Sequence, residues 1–461
     1  MTDSGDTIAA LATPLGYGSI GVIRLSGPLS LDIARRVFRA SRSREHFESH
    51  KLYHGDIVSP ETGAVIDEVL LCFMEKPHSY TGEDTVEINC HGGPLLIKSI
   101  LHSVTLLGAR LAEPGEFTKR AFLNNRLDLS RAEAILDVIQ AKTERGLSAA
   151  VNRLKGSLAR ETATIRDALL DILATLEASI DFSDEDVPEE QPSRTAAGLE
   201  TCLGQVSHLL STFRNGRIDQ EGLRVLIVGK PNVGKSSLLN ALLGAERAIV
   251  TPIPGTTRDF IEESIRIGGI PVAIIDTAGI RESADMIEEQ GIALVWQKLQ
   301  DADVVLLVFD GSRNLDADDR LVLEKTKDKE QVIAVINKED LPLQWAIPDL
   351  LKDRPRLKPI TISAKFKTGL SNLKDEMSRL AATQESSPDD TVCITNIRHV
   401  HALSRTAEFL TRGRDNLLAG MPPEIVSIDL RDALNQLDEI GGRTLPEDIL
   451  NRIFSTFCIG K

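Results

Sequence analysis

A phosphate-loop motif constrains the fold of this chain more than any other feature. Residues 229–237 read GKPNVGKSS and match the pattern G-x-x-x-x-G-K-[ST]. The apolar run LRVLIVG comes before the motif and SLLNALLG comes after it, so we predict a tight turn between a buried strand and a helix. A turn of this kind directs backbone N–H groups and the positive end of a helix dipole at a phosphate. It requires a surrounding α/β architecture.

The sequence on either side of the phosphate loop has that architecture. Residues 222–380 alternate helix-like segments with near-continuous apolar runs, such as DVVLLVFDG and QVIAVINK. Runs of this kind are typical of parallel strands that are covered on both faces. We therefore predict a doubly wound α/β domain for this part of the chain.

Four further motifs follow the phosphate loop in the order found in GTP-binding domains. They are PGTTRD (254–259), DTAG (276–279), NKED (337–340) and SAK (363–365). The Asp340 carboxylate can accept both N–H groups of the Watson–Crick edge of guanine, and adenine lacks that pair of donors. An ATP-binding P-loop protein is the alternative, and Asn337, Lys338 and Asp340 argue against it. We therefore predict a Ras-like GTPase domain.

Each motif has a predicted role at the nucleotide. Lys235 would reach the β- and γ-phosphates, and Ser236 and Thr257 would ligate Mg²⁺. Asp276 would hold a metal-bound water, and Gly279 would donate its backbone N–H to the γ-phosphate. The predicted GTP-binding residues are Asn232, Val233, Gly234, Lys235, Ser236, Ser237, Thr251, Pro252, Ile253, Pro254, Gly255, Thr256, Thr257, Asp276, Thr277, Ala278, Gly279, Asn337, Lys338, Asp340, Ser363, Ala364 and Lys365.

The residue after Gly279 raises a question about catalysis. Ras-like GTPases usually carry a glutamine there, which orients the attacking water, but this chain carries Ile280. Asn232 offers a side-chain carbonyl that can ligate a monovalent cation, and a cation there would offset charge between the phosphates. The position of the water is a separate matter, for which Ile280 supplies no hydrogen-bonding group.

Charged residues near the two switch motifs are candidates for that task. One of the glutamates can orient water through a second water, although solvated helix carboxylates are the alternative. A switch arginine can pair with a switch carboxylate. The sequence alone does not choose among them. The candidates are Glu282, Glu288, Glu289, Arg258 and Arg281.

The composition bounds the class of protein. The chain has 461 residues, of which 42% are hydrophobic and 26% charged, so we expect a packed globular protein of several domains. The net charge of −15 argues against a continuous nucleic-acid-binding surface. The five cysteines form no C-x-x-C pair, so we expect reduced thiols. We also expect no signal peptide, no membrane span and a cytoplasmic location.

The remaining residues have two other textures. The first 120 residues or so mix short β-like runs with turns and one helix-like stretch, which indicates an α+β domain. Residues 118–217 and those after about 384 show helical spacing. We therefore predict a G domain inserted into a helical domain. The predicted segments are 1–119, 120–217, 218–384 and 385–461.

Motifs across the whole length resemble one family. The segments DTIAALATPLGYGSIGVIRLSG, TGEDTVEINCHGGP, PGEFTKRAFLNNRLDLSRAEAILDVI and FCIGK are similar to the pattern of the MnmE (TrmE) family of tRNA-modifying GTPases. The FCIGK segment combined with an inserted G domain is the most specific part of the resemblance. The resemblance implies a homodimer formed through the N-terminal domain.

The resemblance also implies an answer to the catalytic question. In this family K⁺ binds near the phosphate loop and brings two G domains together across their switch faces. The K⁺-ligating positions of the family match Asn232, Thr251, Ile253 and Thr256. The catalytic positions match Glu288, which is thought to act on the water indirectly, and the switch arginines Arg258 and Arg281. A hydrophobic residue at Ile280 is then normal for the family.

A larger reaction is implied as well. With a GidA/MnmG-type flavoprotein that carries FAD, the family installs a carboxymethylaminomethyl or aminomethyl group at C5 of the wobble uridine of certain tRNAs, in a heterotetramer or larger complex. The one-carbon unit comes from a tetrahydrofolate derivative, 5,10-methylene- or 5-formyl-tetrahydrofolate. The family's folate contacts match Arg24, Glu87, Arg126 and Lys461, with arginine at 126 where lysine is expected in many members. Cys458 of FCIGK matches a cysteine that affects modification.

Two other functions remain open at the level of sequence. A ribosome-assembly or signalling GTPase would use the nucleotide only as a switch, but it needs neither the N-terminal domain nor FCIGK. A folate-dependent one-carbon transferase would use GTP only for regulation. Residues 118–166 contain ten Lys or Arg against five Asp or Glu, which is either a phosphate-contacting face for tRNA or a solvated helix surface.

Overall fold

A computed structural model describes most of the chain. The described residues are 5–42, 46–181, 192–244, 262–276, 298–354, 357–381 and 392–461. The chain divides into two compact units, which we call unit 1 and unit 2. Unit 1 comprises Met1–Ile139, Val151–His208 and Arg398–Lys461, and unit 2 comprises Gln140–Ala150 and Leu209–Ile397. The finer division into four predicted segments stays a prediction.

Unit 1 contains a seven-stranded mixed sheet among the described residues. Its strands are β1 (Thr7–Leu11), β2 (Gly18–Ser26), β3 (Phe38–Ala40), β4 (Leu52–Val58), β5 (Val65–Met74), β6 (Thr85–Gly92) and β7 (Ala109–Leu111). Their order across the sheet is β3-β4-β5-β6-β2-β1-β7. The β1–β7 pair is parallel and the other pairs are antiparallel.

Alternation along the strands directs one face of this sheet into a core. Ile23 and Leu25 on β2 and Ile88 on β6 are fully buried, because successive side chains of a strand point to opposite faces. Two helices, α1 (Ser30–Val37) and α2 (Pro94–Leu106), bury their apolar residues in the same core. The α+β character predicted for this part of the chain is confirmed.

Helices form most of the remainder of unit 1. They are α3 (Glu116–Leu123), α4 (Leu129–Gln140), α6 (Ser157–Asp181), α7 (Pro192–Ser211), α13 (Ile397–Leu418), α14 (Pro423–Gly441) and α15 (Glu447–Phe454). Helix α6 packs along α14, and α3 packs on α15. A cluster of Leu129, Leu450, Phe454 and Phe457 joins the start of α4 to the FCIGK segment. Helix α5 (Glu144–Leu154) has residues in both units.

Unit 2 is built on a second sheet. Its strands are β8 (Leu223–Val228), β9 (Glu262–Ile267), β10 (Ile270–Asp276), β11 (Val304–Asp310), β12 (Val332–Asn337) and β13 (Lys358–Thr361). The order is β13-β12-β11-β8-β10-β9. The pairs are parallel except for the antiparallel pair of β9 with β10.

Helices cover both faces of that sheet. One core joins alternate residues of the strands to α9 (Lys235–Leu243) and α12 (Leu370–Ala381). A second core takes the other residues, such as Leu226 and Val305, together with α10 (Ala317–Lys325) and α11 (Ile347–Asp353). Helix α8 (Phe213–Glu221) leads into β8. The predicted doubly wound arrangement is therefore confirmed.

Candidate functional site

The phosphate loop lies between β8 and α9, where the sequence predicts it. Gly234 has φ +99 at the start of α9, and a Cβ atom at this residue would meet the Nδ2 atom of Asn337. A Cβ on Gly229 would lie 2.5 Å from the carbonyl oxygen of Val308. Only glycine fits both places. Asn232 also has a positive φ, of +64, and its side chain is exposed.

Lys235 completes the loop from within. Its Nζ atom donates to the carbonyl oxygens of Gly229 and Lys230, both at 2.9 Å. The residue is only 8% exposed, so these hydrogen bonds to loop carbonyls satisfy a buried polar group. Ser236 and Ser237 follow in the first turn of α9 and are exposed, at the helix end that favours anions.

Asn337 joins the phosphate loop to the loop that carries SAK. Its Nδ2 atom donates to the carbonyl oxygen of Val233 at 2.8 Å, and its Oδ1 atom accepts from the backbone N–H of Ala364 at 3.0 Å. The residue is 3% exposed, so both bonds are shielded from water. The two loops are therefore held together by one buried amide.

Lys338 is fixed beside Asn337 by a residue that the sequence analysis did not single out. Its Nζ atom donates to Asp310 Oδ2 at 2.6 Å and to the carbonyl oxygen of Asn232 at 3.3 Å. Burial opposes the charge of Asp310, but hydrogen bonds from Lys338 and Ser312 hold its pKa below the usual range. The sequence feature that could have identified Asp310 is its position at the end of an apolar run. In the structure this run is β11, and Asp310 pairs in register with Asn337.

The predicted guanine-recognising carboxylate also has a partner. The Ser363 hydroxyl lies 2.6 Å from Asp340 Oδ1 and donates to it, and the Ser363 hydroxyl in turn accepts from the backbone N–H of Phe366 at 3.3 Å. Asp340 itself is exposed. Lys365 places its Nζ atom 5.1 Å from the centre of the Phe366 ring. Phe366 is 60% exposed and was likewise not singled out from the sequence.

Of the residues predicted in and around the two switch motifs, the structure describes one, Asp276. Asp276 ends β10 and pairs with Ile227 of β8. The others lie outside the described residues. They are Thr251, Pro252, Ile253, Pro254, Gly255, Thr256, Thr257, Arg258, Thr277, Ala278, Gly279, Ile280, Arg281, Glu282, Glu288 and Glu289.

A second group of predicted residues meets in unit 1. Arg24 and Glu87 are directly opposed on β2 and β6, and the Arg24 Nη2 atom lies 2.8 Å from Glu87 Oε1. The Arg24 guanidinium also lies 5.3 Å from the centre of the Tyr80 ring and 5.7 Å from that of Phe117. Phe117 is fully buried, so the groups that can bind a flat polar heterocycle here are the carboxylate, the cation and the partly exposed Tyr80 ring.

The FCIGK segment reaches the same place. Arg24 Nη1 donates to the carbonyl oxygen of Gly460 at 3.4 Å, and Gly460 has φ +89. Cys458 is exposed, and its carbonyl oxygen accepts from the backbone N–H of Lys461 at 3.3 Å. The structure thus brings Arg24 and Glu87 close to this segment, although no hydrogen bond of the Lys461 side chain joins them.

Arg126 lies near the same group. Its Nε atom donates to the carbonyl oxygen of Ser79 at 3.2 Å, next to Tyr80 in the chain. Its Cγ atom is 3.2 Å from the position that a Cβ of Gly82 would occupy.

Two negative findings concern the described residues only. No group of three or more His, Cys, Asp or Glu is arranged there to hold a metal ion, and no helix is long and apolar enough to span a membrane.

Similarity to known proteins extends over nearly the whole chain. A family model described as "GTP-binding protein TrmE N-terminus" matches residues 7–126, and another described as "MnmE helical domain" matches residues 129–458. The tRNA modification GTPase MnmE of Syntrophus aciditrophicus is 48% identical over 456 residues, which is 99% of each chain. The chain belongs to the MnmE family. The protein of the same name from Geobacter sulfurreducens is 46% identical over 459 residues, again 99% of each chain.

Membership of the MnmE family confirms two predictions. The family resemblance is correct, and the chain is a GTP hydrolase. Among solved structures, the chain is similar to the G domain of the T. maritima FeoB iron transporter. The sequences are 27% identical, the match covers 34% of this chain and 98% of that chain, and the TM-score is 0.28. It is also similar to a variant of Aquifex aeolicus Era bound to GDP and AlF₄⁻. The sequences are 31% identical, the match covers 40% of this chain and 66% of that chain, and the TM-score is 0.29.

Proposed function

We propose that this MnmE-family member is a K⁺-activated GTPase that takes part in the modification of C5 of the wobble uridine of certain tRNAs. It works as a homodimer in the cytoplasm, in a heterotetramer or larger complex with a GidA/MnmG-type flavoprotein. The product is a carboxymethylaminomethyl or aminomethyl group. The flavin belongs to the partner, and the one-carbon unit comes from a tetrahydrofolate derivative.

One observation carries the nucleotide part of this proposal. The buried amide of Asn337 holds the phosphate loop and the SAK loop together, and Asp340 is oriented by Ser363 close to that joint. This arrangement supports the proposal, because the groups proposed to bind the phosphates and the base are held in place before GTP arrives. Ser236 supplies a hydroxyl at the start of α9 for Mg²⁺, and Thr257 is proposed as its second protein ligand.

The cation part rests on the loop and on one substitution. Asn232 presents an exposed side-chain carbonyl on a loop that is bonded through its own backbone to Lys338, and such an oxygen suits a hard monovalent cation. When bound, K⁺ supplies positive charge between the phosphates where other GTPases use an arginine finger. The substitution is Ile280, which stands where Ras-like GTPases usually carry a glutamine and can neither donate nor accept a hydrogen bond. Thr251, Ile253 and Thr256 are proposed as the remaining ligands.

Catalysis then depends on charged residues of the switch segments. We assign the positioning of the attacking water to Glu288, acting through a second water, because Ile280 cannot do so. Arg258 and Arg281 are proposed to pair with switch carboxylates when two G domains meet. These assignments follow the family pattern.

The folate part concerns the group around Arg24. Glu87 has an accessible carboxylate that can accept N–H groups of a pterin ring, and Tyr80 and Phe117 flank the Arg24 guanidinium. Arg126 and Lys461 are proposed to bind the negatively charged part of the cofactor. Cys458 is exposed on the adjoining segment, which makes its thiol accessible to a bound cofactor.

The tRNA part receives only local support. Within residues 118–166, Arg120 and Arg166 are bonded to Asp6 and Asp438, and Arg153 is bonded to Asp137. These three arginines are therefore less available for phosphates than a charge count suggests. We accordingly propose that the flavoprotein partner contributes much of the tRNA recognition.

The first test compares cations. GTP hydrolysis by the full-length chain should be faster in KCl than in NaCl at equal ionic strength, and the oligomer should grow in GDP and aluminium fluoride in KCl only. Asn232→Ala should lower turnover in KCl by about 100-fold, the effect of losing one transition-state-stabilising group. Asn240→Ala, an exposed asparagine on α9, is the matched control.

Two results would contradict the proposal. Equal turnover in KCl and NaCl would remove the role of the cation and the assignment of Asn232. Formation of modified uridine by this chain without the flavoprotein would remove the proposed division of labour and favour a one-carbon transferase in this chain alone.

A further inference from the structure

A lysine of the phosphate loop is bound by two aspartates outside the nucleotide motifs. Lys230 Nζ lies 2.7 Å from Asp316 Oδ2 and 2.6 Å from Asp319 Oδ2. The side chains of Lys230 and Asp319 are 13% and 4% exposed, whereas that of Asp316 is 55% exposed. Burial opposes the charge of Lys230, but its hydrogen bonds to the two aspartates raise its pKa. The ammonium group is therefore committed to these partners and is not free to bind a phosphate.

The two aspartates are held in place by the start of α10. Asp316 caps the helix, since its Oδ1 atom accepts from the backbone N–H groups of Asp318 and Asp319 at 3.1 and 3.2 Å. Asp319 Oδ2 accepts in return from the backbone N–H of Asp316 at 3.2 Å. This reciprocal capping box holds both carboxylates in place through backbone hydrogen bonds, at the end of a helix that favours negative charge.

The backbone of Lys230 serves the nucleotide site directly. Its carbonyl oxygen accepts from Lys235 Nζ at 2.9 Å, and Asn232 follows two residues later. The later part of the loop has anchors of its own, since Asn337 binds the carbonyl oxygen of Val233 and Lys338 binds that of Asn232. Within the described residues, the bond of Lys230 to α10 anchors the first half of the loop through a side chain.

We propose that Lys230 is a positioning residue for GTP hydrolysis, and that its bonds to Asp316 and Asp319 hold the first half of the phosphate loop in the shape that binds the β- and γ-phosphates. The inference rests on the proposed GTP site and adds α10 to it. Without the anchor, the Lys230 carbonyl no longer keeps Lys235 in place. The loop must then be ordered by the nucleotide itself, which weakens binding.

The test compares four single variants of the full-length chain. Lys230→Met keeps most of the length of the side chain and removes its charge, and Lys230→Arg keeps the charge. Asp316→Asn keeps the capping oxygen, and Asp318→Asn removes an exposed carboxylate from the same turn. We would measure the dissociation rate of a fluorescent GDP analogue, and kcat and KM for GTP, in KCl. Thermal unfolding would verify that each variant is folded.

The expected result has a specific pattern. Lys230→Met should speed GDP dissociation and raise KM by about tenfold, as expected for the loss of charged hydrogen bonds, with a smaller change in kcat. Lys230→Arg should restore most of the affinity, and Asp318→Asn should match the natural chain. In the double variant Lys230→Met with Asp316→Asn, GDP dissociation and KM should be the same as in Lys230→Met alone, because both changes break the same interaction.

Three results would overturn the inference. They are unchanged GDP dissociation in Lys230→Met, no recovery in Lys230→Arg, or additive effects in the double variant. Failure of the proposed cation mechanism gives a different pattern, because turnover of the natural chain would then be equal in KCl and NaCl while the affinity ratio of Lys230→Met to the natural chain stayed the same.

Discussion

At the scale of single residues, the nucleotide site depends on a few side chains with two tasks each. Asn337 binds two loops, and Lys338 binds both Asp310 and the phosphate loop. Asp340 is different, since Ser363 occupies one of its oxygens and leaves the remaining acceptor positions for a ligand. The choice of base is therefore expected to depend on this one carboxylate.

The Asp340→Asn substitution should change that choice from guanine to xanthine. The asparagine amide still accepts the N1–H of either base, but its NH₂ group faces the amino group of guanine, whereas it can donate to the 2-oxo group of xanthine. GTP affinity should fall by about 100-fold or more and XTP affinity should rise. Competition against a fluorescent nucleotide measures both, and Glu339→Gln is the control for loss of charge. Equal weakening of both nucleotides would count against the assigned contact.

The sequence predicted these residues unevenly, for a physical reason. Lys235, Asn337 and Asp340 stand in motifs whose spacing is fixed by one loop each, so a local pattern identifies them. The partners Asp310 and Asp319 lie 28 and 89 positions from the lysines that they bind. Their proximity arises only when parallel strands align their carboxyl ends, and the two switch segments lie outside the described residues.

At the scale of helices, a buried ionic cluster fastens three elements of unit 1. Glu133 on α4 receives two hydrogen bonds from Arg398 at 2.9 and 2.7 Å, and it lies 2.8 Å from His399 Nε2. Arg398 also donates to the carbonyl oxygens of Glu439 and Ile440 near the end of α14. Burial opposes the charge of Glu133, but His399 and Arg398 lower its pKa to about 2.

The Glu133→Gln substitution should destabilise unit 1 by about 3–5 kcal/mol, because it removes the carboxylate charge that Arg398 and His399 contact in a largely buried position. Urea unfolding measures the loss, with the exposed Glu161→Gln on α6 as the control. A cost below about 1 kcal/mol, which is typical of exposed pairs, would show that the cluster is not a fastener.

The same carboxylate should make stability depend on pH. Its folded pKa of about 2 lies below the ordinary glutamate value of 4.5, so its contribution is fully present above pH 4.5 and is lost as the pH falls from there towards 2. Unfolding free energies measured over this range should fall less steeply in Glu133→Gln than in the natural chain. Parallel curves would contradict the lowered pKa.

At the scale of the whole molecule, the two predicted sites belong to different units. Lys235, Asn337 and Asp340 belong to unit 2, whereas Arg24 and Glu87 belong to unit 1. Each unit has its own sheet and its own core. Helical and apolar patterns in the sequence predicted both the helices and the strands. The order of the strands in unit 1 was not predictable, because β1 and β7 pair although most of the N-terminal sequence lies between them.

This separation predicts that each site can be removed alone. Arg24→Ala should weaken binding of 5-formyl-tetrahydrofolate by about tenfold or more, as expected for a charged hydrogen-bonding group, and should leave GTP hydrolysis within about twofold of the natural rate. Lys235→Ala should do the reverse. Titration calorimetry and steady-state hydrolysis measure the two effects. A loss of GTP turnover in Arg24→Ala would show that the sites are energetically coupled.

The contact of Arg24 with Gly460 has a consequence for biosynthesis. The two residues are 436 positions apart in the chain, and Gly460 also lies against the backbone of Leu11 and Ala12. At about 5–20 residues per second, a ribosome needs roughly 20–90 s to travel from one to the other. During that interval the first two strands of the nascent polypeptide lack their contacts with Gly460. The group of residues that we propose to bind folate is thus complete only after the nucleotide-binding unit has been translated.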